Sequence, residues 1–225
     1  MVAVGFPQST LNTRVRGLMA MILCWSAKGG SGTTVVACAL ALSQPEATLV
    51  DLAGDAATAL GLAEPNSPGI SEWMASPNAD SPAMHRLCVP VHDGLQLLPL
   101  GNGPLPDDQW DRLAKGLESF PHTIVDAGAG VPHEALRSIA THSLLVTRPC
   151  YLALRRALAM SVRPTGVVLI SEAGRALTAR DIEHAIGVPV VAEIPVDPAI
   201  ARAVDAGLLA SRVPRTLQIP LRRVA

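Results

Sequence analysis

Ser26-Ala27-Lys28-Gly29-Gly30-Ser31-Gly32-Thr33-Thr34 decides how this chain is read. It follows the apolar run Met21 to Trp25 and leads into Thr33 to Ser43, a stretch with the length and composition of an apolar helix. Glycines let successive backbone N–H groups turn inward around an anion, and a helix starting near Thr33 adds the positive end of its dipole. The segment is therefore expected to cradle phosphate through Gly29, Gly30, Ser31, Gly32, Thr33 and Thr34. A plain glycine-rich turn, with Thr33 or Thr34 as helix cap, is the competing reading. Against the spacing G-x-x-x-x-G-K-S/T, the eight positions are Ala27 to Thr34. Ala27 stands for the first glycine and Thr33 for the lysine that reaches the β- and γ-phosphates. Losing one charge-assisted contact of roughly 1.5–3 kcal/mol weakens binding about ten- to a hundredfold. The backbone cradle remains, as does the Thr34 hydroxyl, which suits Mg²⁺.

Outward from the loop, five further apolar runs follow the first: Thr48 to Leu52, Thr123 to Asp126, Leu144 to Thr147, Val167 to Ile170 and Val190 to Ile194. They do not alternate with polar residues, as strands buried on both faces of a parallel sheet do not. Between or after them, Asp107 to Glu118, His133 to Thr141, Leu152 to Val162, Thr178 to Ile186 and Pro198 to Ala206 are long enough for helices. The fold expected is a doubly wound, mostly parallel α/β sheet of the P-loop NTPase type. Cys88 to Val91 and Leu95 to Leu98 flank His92-Asp93-Gly94, a hairpin signal that predicts an antiparallel edge. Pro65 to Pro82 reads as surface loop around a short helix at Ile70 to Met74.

The chain has 225 residues, with 18 Lys and Arg against 19 Asp and Glu, so it has no basic excess to neutralise a nucleic-acid backbone. DNA binding is expected to be weak or absent. Hydrophobic residues make up 49% and the mean hydropathy is +0.33, yet the apolar stretch Gly17 to Ala27 is shorter than the ~18–20 residues of a spanning helix. Cys24, Cys38, Cys88 and Cys150 form no C-x-x-C pair, which points to a reducing cytoplasm and no structural zinc. Residues 1–18 fit no element and are assigned as a disordered extension or a start set too early, with Met19 or Met21 as alternatives; no signal-peptide cleavage site follows Arg14 and Arg16. Residues 19–211 form the nucleotide-binding domain, and 212–225 a tail in which Pro214 and Pro220 interrupt any amphipathic membrane helix.

Lys28 and Lys115 are the only lysines. Lys28-Gly29-Gly30-x-Gly32-x-Thr34 resembles the deviant Walker A loop of the ParA/MinD family of P-loop ATPases, and its Gly-Thr-Thr ending is most similar to the CpaE/TadZ branch that places pilus and secretion machinery. The resemblance extends over roughly Met21 to Leu209. It implies ATP and Mg²⁺ as cofactors, a nucleotide-dependent homodimer, and a catalytic Lys28 that crosses to the partner's phosphates. It also implies that Asp126, in Thr123-Ile124-Val125-Asp126-Ala127-Gly128-Ala129-Gly130, holds Mg²⁺ with Thr34 and Asp51, and that Gly130 approaches the γ-phosphate. Asp51 and Asp126 lie at strand ends, where open α/β sheets bind ligands, with capping of the next turn as the less favoured reading for either residue. Ser171, Pro195 and Asp197 are expected beside the base. The family's second aspartate, which orients the attacking water, is Ala53 here; Asp55 either replaces it or caps a helix through Ala56 to Leu60, and the cap is the favoured reading.

Three functions follow from these residues. The first is an ATP-binding positioning or scaffold factor with protein partners. The second is a working Mg²⁺-ATPase of the partition type, against which Thr33 and Ala53 both argue. The third is a module that binds no nucleotide.

Overall fold

The computed structural model describes residues 20–63, 66–222 and 224. The extension assigned to residues 1–18 therefore lies outside the described residues. Eight strands form one sheet in the order β3-β4-β2-β5-β1-β6-β7-β8. All neighbours are parallel except β3 (Val89–His92) and β4 (Leu95–Leu98), the expected edge hairpin, which pair antiparallel. β1 (Ala20–Ser26) lies between β5 (His122–Ala129) and β6 (His142–Thr147), and β2 (Ala47–Asp51) pairs with β5 on the other side. β7 (Gly166–Ser171) and β8 (Val190–Pro195) complete the sheet.

The apolar runs are continuous because both faces of the sheet are covered. In β1, Ile22 and Cys24 pack into one layer while Met21, Leu23 and Trp25 pack into the other. The first layer contains α1 (Thr33–Leu42), α2 (Ala56–Leu60) and α10 (Arg215–Leu221), with residues of α9 (Pro198–Asp205) packed against it. The second contains α3 (Ile70–Ala75), α4 (Ser81–His85), α5 (Trp110–Leu117), α6 (Glu134–Ile139), α7 (Tyr151–Ala159) and α8 (Ala179–Ile186). Trp25 sits fully buried with its indole N–H donating to Ser143 Oγ at 2.9 Å, so burial of its one polar atom costs little.

Two expectations need correction. Asp126 does not end its strand. β5 continues to Ala129, because a register shift between Cys24 and Ser26 brings Ala129 opposite Ser26 and keeps the strand paired. Nor do the C-terminal prolines break the chain. Pro214 is the residue before α10, where it has no helical hydrogen bond to lose, and Pro220 sits in the last turn. Leu217 and Leu221 of this helix are buried in the same layer as α1. Among the described residues, no helix is long and apolar enough to cross a membrane.

Candidate functional site

β1 stands where the connections leave the sheet in opposite directions, with α1 leading to β2 on one side and α6 leading to β6 on the other. Such a switch point opens a crevice at the carboxyl ends of the strands. The loop Ala27 to Gly32 fills it. Gly30 and Gly32 take φ values of +74° and +93°, which only glycine adopts without strain. Ser31 Oγ donates to the Lys28 carbonyl at 2.6 Å, and the Ser26 hydroxyl lies 3.1 Å from that carbonyl and 3.3 Å from the carbonyl of Gly128. The loop is thereby tied to its own base and to the end of β5.

The helix cap is Gly32, which makes no side-chain cap bond to the first turn of α1. Thr33 and Thr34 are therefore not caps, and the amides at the start of this ten-residue helix keep their capacity to bind an anion. Added Cβ atoms at Gly29 and Gly30 would meet no protein atom within 4 Å, so the loop faces open space. That space is a cleft of about 480 Å³ between the loop and the segments Leu52 to Asp55 and Ala127 to Ala129. A second, apolar cavity of about 230 Å³ adjoins it and shares Ser31, Gly32 and Val35. Its wall includes Ile170, Pro195, Val196 and Leu217.

The carboxylates divide by role. Asp51 and Asp126 are paired in register on β2 and β5. Asp51 Oδ1 accepts from the amides of Ala53 at 3.0 Å and Gly54 at 2.7 Å, and its Oδ2 accepts from Ala56 at 2.9 Å. Burial raises its pKa, against the pull of those three amides. Both oxygens thus hold the turn into α2. The favoured reading of Asp55 as the side-chain cap of that helix needs correction. Asp55 occupies the cap position of α2 without a side-chain cap bond, and is exposed on the cleft wall. Asp51 has taken over the cap because its strand-end position reaches the turn from inside.

Asp126 is fully buried; its Oδ1 accepts from the Gly128 amide at 3.0 Å, while Oδ2 has no hydrogen-bond partner. Burial pushes its pKa up to about 6, despite the opposing effects of the Thr34 hydroxyl and the Gly128 amide. An orphaned carboxylate oxygen beside a threonine hydroxyl at a helix N-terminus fits a hard divalent cation, which uses one or two carboxylates plus phosphate oxygens.

The remaining expected residues separate. Pro195 and Asp197 line the apolar cavity, but Asp197 is engaged elsewhere: Oδ1 caps α9 through Ala199 N and Oδ2 accepts from Thr216 Oγ1, both at 2.8 Å. Ile170 rather than Ser171 lines that cavity; Ser171 ends β7, with its carbonyl accepting from Val196 N at 2.8 Å. Gly130 donates its amide to Ser26 O at 2.8 Å, so that N–H closes the strand pairing and does not point to a phosphate. Lys28 is half-buried and does not line its own cleft. Residues not anticipated from the sequence are Val35, Leu52, Ile170 and Arg148. Their one sequence signal is position, each standing at or just beyond a strand's carboxyl end or on the first turn of α1.

No family model matches the chain, and no curated protein matches it. Solved structures do match the fold. A ParA family ATPase from Chlorobium tepidum superposes with a TM-score of 0.70 at 22% identity, covering 91% of this chain and 97% of that one. The septum site-determining protein MinD from Pyrococcus horikoshii, solved with Mg-ADP, gives 0.69 at 16% identity over 91% and 94%. McdA from Cyanothece, solved with ATP, gives 0.67 at 18% identity over 91% and 94%. The eight-stranded, mostly parallel sheet with helices on both faces is thus the ParA/MinD P-loop NTPase fold.

Proposed function

We propose that this chain is a ParA/MinD-type protein of the CpaE/TadZ kind, which binds ATP with Mg²⁺ and serves as a positioning or scaffold factor in the cytoplasm. One observation carries the reading: an uncapped helix N-terminus and two positive-φ glycines surround an open cleft next to a buried, unpartnered carboxylate oxygen. The amides of the loop would bind the phosphates, Thr34 and Asp126 would hold Mg²⁺, and the apolar cavity would take the base. Bound Mg²⁺ supplies charge neutralisation at the phosphates. Lys28, which does not line its own cleft, suits a contact with the nucleotide of a second copy in a nucleotide-dependent homodimer. A calorimetric titration of ATP with Mg²⁺ tests the proposal. Saturable binding that Gly30→Val removes is the expected result, and absence of binding by the wild type overturns it in favour of a nucleotide-free interaction module.

A second reading, a Mg²⁺-ATPase of the partition type, is favoured by Asp55. Its carboxylate is free of the cap and stands at the cleft, where Ala53 has only a methyl group to offer. Orienting an attacking water requires an acceptor within hydrogen-bond reach, and Asp55 is the exposed carboxylate on that wall. Under this reading Lys28→Ala and Asp55→Ala each abolish ATP turnover; wild-type turnover at background level ends it.

A further inference from the structure

We propose that Arg148 is the cation this chain supplies to its own bound nucleotide, gripping the phosphate nearest the base; the inference rests on the nucleotide-binding reading above. The need is set by the loop. Thr33 stands where a lysine would reach the phosphates, and among the described residues lining the glycine-loop cleft none is basic. A nucleoside triphosphate bound there brings at least three negative charges to a cleft whose described lining residues donate only through amides and hydroxyls and include the Asp55 carboxylate.

The adjoining cavity contains one basic residue, Arg148. The two cavities share Ser31, Gly32 and Val35, so a ligand with its phosphates on the loop and its base against Ile170 and Pro195 passes over the first turn of α1. Arg148 lines the second of these cavities. It directly follows β6, which neighbours both β1 and β7, and so stands on the ligand-binding edge of the sheet. Its backbone is fixed, because the next residue is Pro149 and its carbonyl accepts from Cys150 N at 2.8 Å. Its side chain is exposed and, among the described residues, makes no ion pair and no hydrogen bond.

The acids nearby do not neutralise it. Asp197 has both carboxylate oxygens engaged, with Ala199 and Thr216, and Asp205 on α9 is not within ion-pair distance. A guanidinium on the wall of the apolar cavity, which adjoins the glycine-loop cleft, offers a permanent positive charge to a phosphate bound between the two. The aliphatic part of the side chain adds to the cavity wall.

Because the Arg148 side chain holds no hydrogen-bond or ion-pair partner among the described residues, its replacement leaves the protein folded, which a thermal melt verifies. Wild type, Arg148→Lys, Arg148→Met and Arg148→Glu are titrated with ATP and Mg²⁺ by calorimetry. The expected order of affinity is Arg, Lys, Met, Glu, with Met about ten- to a hundredfold weaker than wild type and Lys recovering most of that loss. Equal affinity of Arg148→Met and wild type overturns the inference, and so does a lysine variant no better than the methionine one, which makes the side chain packing and not charge. Wild type that binds no ATP overturns this inference together with the nucleotide reading; wild type that binds while Arg148→Met is unaffected overturns this inference alone.

Discussion

Gly30 carries the loop's function in its backbone. With φ at +74° and no protein atom within 4 Å of an added Cβ, a side chain there strains the turn and projects into the cradle. Gly30→Val is expected to lower stability by about 1–2 kcal/mol, leaving the protein folded, while ATP binding is lost. Circular dichroism melts and calorimetry on the same sample separate the two effects. Asp126 makes a different demand. Its pKa in the folded protein is raised from 3.8 to about 6 by burial, so the folded state favours the protonated form. The stability associated with that proton is complete below about pH 4 and is lost as pH rises through about 6, a total of about 3 kcal/mol. Wild type is therefore expected to lose melting temperature between pH 4 and 7 relative to Asp126→Asn. ATP with Mg²⁺ restores it in the wild type alone, since cation binding needs the ionised carboxylate. A difference that does not change with pH would contradict this assignment.

The short helix α3 shows how an element too small to be stable alone is held from outside. The Glu72 carboxylate accepts from the amides of Gly69 at 2.7 Å and Asn102 at 2.9 Å, which lowers its pKa to about 2. At the other end Arg112 of α5 donates to the carbonyls of Trp73, Met74 and Ser76 at 2.7–2.8 Å and lies 4.2 Å over the Trp73 ring. Arg112→Met is expected to cost about 2–4 kcal/mol by leaving carbonyls without donors, and Arg112→Lys to recover little of it, because an ammonium cannot reproduce the planar fork. Urea unfolding measures both, with ATP affinity unchanged. The short helix at Ile70 to Met74 was readable from its residues. Its anchoring was not, because Arg112 is 39 positions from Trp73. The close approach of α2 and α9 was equally hidden: a Cβ on Gly61 would collide with the backbone of Gly207. Gly61→Ala, at a φ of +77°, is expected to destabilise by about 2–4 kcal/mol.

Across the whole molecule, α10 joins the core packing to the apolar cavity. Leu217 is buried in the layer shared with α1 and also forms part of the apolar cavity wall. Leu217→Ala is expected to cost about 2–4 kcal/mol and to weaken ATP binding several-fold, because the same methyl groups fill the core and close the cavity. A stability loss with unchanged ATP affinity would show that the base does not rest there. The packing of the last helix was not apparent beforehand, when only its proline content could be read.

The local chemistry of this chain was legible in its residues. Apolar runs of strand length, helix-compatible segments between them and a glycine loop after the first strand are enough to specify a doubly wound sheet with a glycine loop at its carboxyl edge, since each depends on neighbours within a few positions. The Asp-Gly hairpin belongs to the same class. What required the folded chain were the choices among similar groups: Asp51 and not Asp55 as the cap of α2, Asp126 with an unpartnered oxygen, Gly130 closing a strand, and Arg148 on the wall of the apolar cavity. Each is set by where a side chain or amide points relative to residues distant in sequence, and that direction is fixed only when the strands pair and the helices pack across them.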